Sequence, residues 1–116
     1  MVCVQRTSST YEPLFRATHM GINILAADQL PLASIFAAKS DDKFAGLRWV
    51  PGPDGSPLLS HCSAVMEASI AERLQARTHT IFIGKLTHAE HSDRPPLVYS
   101  AGAFYDGGRL ENAPVL

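Results

Sequence analysis

Alternation of apolar and polar positions predicts short strands at several places along the chain. One strand opens the sequence at residues 2–4, and a second is predicted at residues 20–24, where every other residue is apolar. Residues 80–86 form the clearest strand, because β-branched and aromatic side chains dominate there. Two shorter strands are predicted, one at residues 97–99 after the break at Pro95-Pro96 and one at residues 103–105 before a turn at residues 106–108.

Short helices are predicted between the first strands. Ser9 stands three residues before Glu12, which is the spacing of a capping box, and a short helix through about Ala17 follows. Asp28 is suited to cap a second helix, whose apolar positions within residues 32–36 have the spacing of one buried face. This second helix is expected to cover the sheet.

The middle of the chain is harder to interpret. A helical turn is predicted at residues 43–45 and is expected to stop at Gly46, and the three prolines and two glycines of residues 51–57 predict a loop. From Ala64 to Gln75 the signals conflict, because good helix formers predominate while alternate residues are apolar. Local propensity favours a helix, and a strand stays open as the alternative.

Composition fits a packed domain and narrows the possible partners. The 116 residues are 46% hydrophobic and 18% charged, which suits one domain or part of one. Ten basic and eleven acidic residues form no run, so nucleic acid is not an expected partner. No apolar stretch approaches the ~20 residues that span a bilayer, so no membrane partner is expected. Two cysteines without metal spacing suit a reducing cytoplasm.

Several familiar chemistries are not predicted. His88 and His91 flank Glu90, but on a continuing strand, residues three apart point to opposite faces and cannot share one metal ion. The chain has no GxSxG elbow, no GxGxxG turn and no GxxxxGK[ST] loop, which argues against hydrolase, dinucleotide-binding and P-loop folds.

The segment Arg6-Thr7-Ser8-Ser9-Thr10 is the most informative polar stretch. It offers hydroxyl groups, a guanidinium and backbone N–H groups where a helix is predicted to begin, a combination suited to a phosphate monoester. An ordinary helix cap would use the same residue types, and composition alone favours the cap.

A series of short motifs then occurs in an order typical of one family. The motifs are Gln5-Arg6-Thr7-Ser8-Ser9-Thr10, Gly21-Ile22-Asn23-Ile24-Leu25-Ala26-Ala27-Asp28-Gln29, Asp42-Lys43-Phe44-Ala45-Gly46, Trp49, Gly55-x-Pro57-Leu58-Leu59, His79-Thr80-Ile81-Phe82-Ile83-Gly84, His88-Ala89-Glu90 and Pro95-Pro96-Leu97-Val98-Tyr99. Over about 100 of the 116 residues, the chain resembles the flavin reductase-like domain of the FMN-binding split-barrel family.

The resemblance implies a fold. It implies a protein that is mainly β with short helices, a six-stranded FMN-binding split barrel of Greek-key type that forms a homodimer with flavin near the subunit interface. It also implies that residues 64–74 form a long strand paired with residues 78–90, against their local helical preference. Because the chain opens inside a strand, we expect residues 1–116 to be the C-terminal portion of a flavin reductase-like domain that lacks its first strands.

The resemblance also implies a cofactor site. No catalytic side chain and no metal are expected, because hydride passes directly from the nicotinamide to the flavin ring and the protein supplies orientation and shelter from solvent. His79 is expected to order the start of its strand. The residues implied to contact flavin are Arg6, Thr7, Ser8 and Ser9, with Gln5 at their edge and Lys43 and Phe44 in the Asp-Lys-Phe turn.

The implied activity is that of an NAD(P)H-dependent flavin reductase. Its cofactor would be FMN or FAD, its hydride donor NADH or NADPH, and its partner a flavin-dependent monooxygenase to which it supplies reduced flavin. Ser100 stands where many members carry a histidine, and the resemblance implies that the family's first strands would lie before Met1. The alternative is therefore a non-catalytic flavin-binding split-barrel protein or an inactive truncated fragment.

Overall fold

The computed structural model describes residues 1–115, and these are mainly β with short helices, as predicted. The eight strands are β1 (Val2–Gln5), β2 (His19–Ile24), β3 (Trp49–Pro51), β4 (Pro57–Leu59), β5 (Ala64–Ala76), β6 (His79–His91), β7 (Leu97–Ser100) and β8 (Ala103–Asp106). The α-helices are α1 (Tyr11–Arg16) and α2 (Leu30–Ala37), and Ala27–Gln29 and Gly107–Arg109 are single 3₁₀ turns. No helix within residues 1–115 has the length and apolar character needed to cross a membrane.

The strands are arranged in one larger sheet and two ribbons. The larger sheet has the order β1-β6-β5-β2, while β3 pairs with β4 and β7 pairs with β8. The long strands β5 and β6 are neighbours joined by Arg77 and Thr78, and Arg77 has a positive φ of 55° in that tight connection. The long strand implied for residues 64–74 and its pairing with residues 78–90 are thus confirmed.

The chain divides into two compact units. The first contains residues 1–22, 50–58 and 66–89, and the second contains residues 23–49, 59–65 and 90–116. Each unit therefore draws on three separated parts of the sequence.

The core of the first unit lies against the larger sheet. Phe82 is fully buried on β6, directly opposite Val2 of β1, and its ring meets those of Tyr11 and Phe15 from α1 at centroid distances of 6.5 and 6.4 Å. The predicted helix after the first turn thus contributes aromatic rings to this core. Gly84, on the same strand, leaves space for the Met20 side chain, because a Cβ at position 84 would lie 2.7 Å from it.

The second unit is assembled around the β7–β8 ribbon and the 3₁₀ turn before α2. Ala26 is buried, forms an isolated bridge with Pro96, and is followed by Ala27, whose N–H donates to the Pro95 carbonyl at 2.8 Å. Gly107 closes the ribbon against Pro96, with no room for a side chain because a Cβ would lie 2.7 Å from the Pro96 carbonyl oxygen.

Both predicted helix caps are wrong. Helix α1 begins at Tyr11 with Thr10 at its N-cap, and no side chain caps it, because the Ser8 carbonyl accepts the Tyr11 N–H and keeps Ser9 in the preceding turn. Asp28 caps nothing, since it lies inside the 3₁₀ turn and its carboxylate pairs with Arg94 at 3.3 Å. Helix α2 contains no fully buried residue: Leu32 and Phe36 are half-buried and Ile35 is exposed, so the expected buried face is not formed.

Two loop predictions need adjustment. Residues 43–45 form no helix; the Phe44 N–H donates to the Asp42 carboxylate, and the chain turns at Gly46, whose φ is +74°. Residues 51–57 are a loop only at their centre, because Pro51 ends β3 and Pro57 begins β4.

Candidate functional site

The five predicted contacts Gln5, Arg6, Thr7, Ser8 and Ser9 share one exposed turn between β1 and α1. We call residues 5–10 the hydroxyl turn. The Arg6 N–H donates to the Thr78 carbonyl at 2.8 Å, which fastens the start of the turn to the start of β6. Inside the turn, the Ser8 N–H donates to the Gln5 carbonyl at 3.0 Å. The backbone of the turn is therefore held from within and from β6.

The side chains of the hydroxyl turn face solvent with groups that can bind an anion. The hydroxyls of Thr7, Ser8 and Ser9 are exposed. The Arg6 guanidinium donates from Nη1 to the Arg77 carbonyl at 3.3 Å, and a guanidinium has five N–H donors in all. One cation and three hydroxyls on a single turn form a donor set suited to a phosphate group.

Lys43 and Phe44 lie in the second unit, where their side chains hold the loop after α2 in place. The Lys43 ammonium donates to the Phe36 carbonyl at 2.7 Å, in the last turn of α2, where a positive charge is favourable. The Phe44 ring packs edge-on between Phe36 and Trp49, at centroid distances of 5.3 and 5.9 Å. Both side chains thus have partners within their own unit.

A cleft of about 610 Å³ opens in the first unit beside α1. Its lining residues are Thr10, Pro13, Leu14, Arg16, Ala17, Thr18, His19, Met20, Gly21, Asp54, Gly55, Ser56 and Pro57. His19 Nε2 lies 3.5 Å from the Asp54 carboxylate, and its Nδ1 lies 2.9 Å from the Thr18 hydroxyl. The hydroxyl, imidazole and carboxylate resemble a hydrolytic triad in composition.

A second Thr-His pair shows that this contact is local. His79 opens β6, and its Nδ1 lies 2.8 Å from the hydroxyl of the preceding residue, Thr78, just as in the first pair. Both contacts join adjacent residues at the start of a strand. A nucleophile and its base need a geometry imposed by the fold, so these pairs give no support to a hydrolase.

Glu67 is a buried carboxylate that the sequence analysis did not identify as a candidate. It is fully buried on β5, and its two oxygens accept the backbone N–H groups of Asp54 and Ser56 at 2.8 and 2.7 Å. The pKa of Glu67 lies below its ordinary value, mainly because the Ser56 hydroxyl also donates to it; burial opposes this shift, and the two amides and His19 reinforce it. Glu67 therefore anchors the turn of residues 52–56 at the edge of the cleft.

In the second unit, charged side chains gather beside a smaller pocket of about 260 Å³. Arg94 donates to the Asp28 carboxylate at 3.3 Å and lies 3.5 Å from His61 Nδ1. The neighbouring Cys62 is buried, and burial raises the pKa of its thiol, with a hydrogen bond from Gln29 opposing the shift. A raised pKa keeps this thiol protonated and unreactive.

Comparison with known proteins places these features in a family. Residues 1–108 match the family described as the flavin reductase like domain. The chain is 35% identical over 105 residues to the reductase component of a flavin-dependent trigonelline monooxygenase from Acinetobacter baylyi, covering 90% of this chain and 34% of that protein. It is 29% identical over 116 residues to an FMN reductase (NADH) of Bradyrhizobium diazoefficiens, covering 97% of this chain and 64% of that protein.

A solved structure agrees with this relationship. The NADH:FAD oxidoreductase of Streptomyces globisporus superposes with a TM-score of 0.85 at 27% identity, covering 99% of this chain and 68% of that one. The chain spans between 34% and 46% of the length of the first curated relatives that it matches. Because the family match includes almost every described residue, the chain belongs to the flavin reductase-like domain family, whose fold is the split barrel.

Proposed function

We propose that this protein is an NAD(P)H-dependent flavin reductase that acts on FMN or FAD and supplies reduced flavin to a monooxygenase. The observation that carries the proposal is the hydroxyl turn, a solvent-facing set of phosphate donors within the residues that match the family. Relatives named as an FMN reductase (NADH), an NADH:FAD oxidoreductase and a monooxygenase reductase component support the reaction and its partner.

The residues present fit a flavin phosphate. Arg6 would offset its negative charge, and the hydroxyls of Thr7, Ser8 and Ser9 would donate to its oxygens, with Gln5 at the edge of the site. Lys43 and Phe44 would reach the cofactor only by exchanging partners that they already have. Flavin, when bound, supplies the ring that accepts hydride, and the protein contributes orientation and exclusion of water.

The proposed assembly is a homodimer in which residues 1–116 belong to a single flavin reductase-like domain. Tyr99 and Phe104 support a subunit contact, because these opposed residues of the β7–β8 ribbon have ring centroids 5.0 Å apart and are 65% and 44% exposed. Exposed aromatic side chains are enriched in the buried parts of protein interfaces. We also propose a cytoplasmic location, where reduced nicotinamide is plentiful. Light scattering on the purified chain would measure the assembly, and a monomeric mass would contradict the dimer.

The activity is tested by mixing the purified chain with FMN and NADH and following the absorbance of the reduced nicotinamide. We expect a rate well above the flavin-only blank. No rate above the blank, with a flavin fluorescence response to the protein, would identify the non-catalytic flavin-binding alternative. Neither a rate nor a fluorescence response would leave an inactive fragment as the correct description.

The site is tested by replacing the three hydroxyl residues together, as Thr7→Ala, Ser8→Ala and Ser9→Ala. Loss of these donors should weaken FMN binding by about tenfold or more, since each hydrogen bond to a charged group contributes roughly 1.5–3 kcal/mol before exposure reduces it. Ser40→Ala removes an exposed hydroxyl from the second unit and is the matched control. Equal FMN affinity in the triple variant and the control would refute this site.

A further inference from the structure

The hydroxyl turn is held at both ends by residues at or just before the start of β6. At its start, the Arg6 N–H donates to the Thr78 carbonyl at 2.8 Å, one residue before β6 begins. At its far end, the Tyr11 hydroxyl shares a hydrogen bond of 3.1 Å with the Thr80 hydroxyl, two residues further along. At its start the turn is thus held by the pairing of β1 with β6 and by the backbone and guanidinium bonds of Arg6, whereas at its far end the Tyr11–Thr80 bond is the side-chain hydrogen bond to β6.

The bond at the far end joins two buried hydroxyls in apolar surroundings. Tyr11 is 7% exposed and Thr80 is fully buried. The Tyr11 ring lies against Phe15 and Phe82, with centroids 5.6 and 6.5 Å away. Phenylalanine at position 11 and valine at position 80 would pack equally well, because they have nearly the same shapes as tyrosine and threonine but lack the hydroxyls. What the two hydroxyls add is direction, since a hydrogen bond fixes the relative placement of its partners more sharply than apolar contact does.

The Tyr11 backbone connects this bond to the turn. Its N–H donates to the Ser8 carbonyl at 3.2 Å, so the residue that reaches into the core also closes the hydroxyl turn. A shift of the Tyr11 ring would move Ser8 and Ser9 relative to Arg6, whose position is set independently at Thr78. The separation of the phosphate donors is thus sensitive to this one contact.

We propose that Tyr11 is a positioning residue that sets the geometry of the phosphate-binding turn through its bond to Thr80. The inference rests on the proposed function, since it concerns the same turn. It predicts a specific defect: loss of the Tyr11 hydroxyl should weaken recognition of the flavin phosphate and leave binding of the remainder of the flavin unchanged.

The test compares FMN with riboflavin, which lacks the phosphate, by titrating flavin fluorescence with the full chain. Wild-type protein should bind FMN more tightly than riboflavin. Tyr11→Phe should weaken FMN binding by about three- to tenfold, the equivalent of one hydrogen bond, while changing riboflavin binding less than about twofold. A general loss of stability would weaken both ligands alike, so the ratio of the two affinities separates positioning from folding. Tyr105→Phe, at an exposed tyrosine of the second unit, is the control and should leave the ratio unchanged.

The outcomes distinguish the two proposals. Equal wild-type affinities for FMN and riboflavin would refute phosphate binding at the turn, and the positioning role would fail with it. A wild-type preference for FMN that persists at full size in Tyr11→Phe would overturn the positioning role alone.

A double variant keeps the test decisive if Tyr11→Phe folds poorly because the Thr80 hydroxyl is left buried without a partner. The combination Tyr11→Phe with Thr80→Val removes both hydroxyls and should recover stability, since replacing both partners by apolar groups is close to neutral. The low FMN-to-riboflavin preference should remain in the double variant. A restored preference would overturn the inference.

Discussion

Gly52→Ala should destabilise the protein through one identifiable clash. A Cβ at this position would lie 2.7 Å from Glu67 Oε1, 2.9 Å from its Cδ and 3.1 Å from Oε2. Ordinary contacts begin near 3.4 Å. The carboxylate cannot retreat easily, because it is buried and accepts the N–H groups of Asp54 and Ser56.

The cost can be worked from this geometry. Forcing a methyl group into a filled site costs about 1–3 kcal/mol. For a chain of this size, each kcal/mol lowers the unfolding temperature by roughly 4 °C, so the expected decrease is about 4–12 °C. Urea unfolding followed by circular dichroism measures the same loss as a free energy.

A cycle with Glu67→Ala identifies the cause. If the clash is responsible, Gly52→Ala should cost little once the carboxylate has been removed. Gly55→Ala is the matched control in the same turn: nothing lies within 4 Å of its Cβ, and its φ of +93° makes any side chain unfavourable for backbone reasons alone. Its cost should persist in the Glu67→Ala background. Equal costs of Gly52→Ala with and without the carboxylate would refute the reasoning.

Two further predictions concern pH and the end of α1. The pKa of Glu67 is lowered by folding, so its contribution to stability is complete above its ordinary value of 4.5 and is lost as the pH falls through the lower folded-state value. Glu67→Gln should therefore flatten the decline of the unfolding free energy at acidic pH, measured by urea titrations over that range. Arg73 donates from Nε to the Phe15 carbonyl at 3.0 Å and from Nη2 to the Ala17 carbonyl, and its guanidinium lies 5.8 Å from the centre of the Phe15 ring. Arg73→Ala should lower the free energy of unfolding by about 2 kcal/mol, because two backbone carbonyls lose a charged donor.

Each of these has an outcome that contradicts it. If the unfolding free energy of Glu67→Gln fell with decreasing pH as steeply as that of the wild type, another carboxylate would be the cause of the acid destabilisation. For the arginine, Arg73→Lys is the control that retains the charge, and a single ammonium cannot serve both carbonyls as a planar guanidinium does. If Arg73→Lys had the same free energy of unfolding as the wild type, the positive charge, and not the pair of guanidinium hydrogen bonds, would be what stabilises the end of α1.

The long strands β5 and β6 differ in how well side-chain patterns alone predict them. Residues 80–86 were predicted as a strand from their side chains alone, and β6 contains all of them. Residues 64–75 have a local preference for helix, and only the resemblance to the family indicated the strand that the structure has. Pairing with β6 overrides that preference, because the hydrogen bonds and side-chain contacts to a neighbouring strand stabilise β5 by more than its weak helical propensity disfavours it.

The hydroxyl turn was predictable as a place in the fold but not as a geometry, and its role as a flavin site stays a prediction. The hydroxyl turn lies between a strand and a helix, as the pattern indicated, yet Ser9 and Asp28 fail as caps because their surroundings decide their partners. Glu67 could not be found in this way, since a charged residue on a strand ordinarily faces solvent. The one available signal was the glycine- and proline-rich turn of residues 51–57, whose backbone N–H groups require acceptors.

The anchoring of the hydroxyl turn has a consequence for biosynthesis. Its side-chain bonds to β6 and to the connection before it join residues 71 and 69 positions apart, from Arg6 to Arg77 and from Tyr11 to Thr80. The ribosome makes the turn early and its anchors much later, so neither end can be fastened until about two-thirds of the chain has emerged. Throughout that interval β1 also lacks the partner strand that pairs with Val2 through Gln5. The hydroxyl turn is therefore ordered only after synthesis has passed Thr80, long after its own residues have been made.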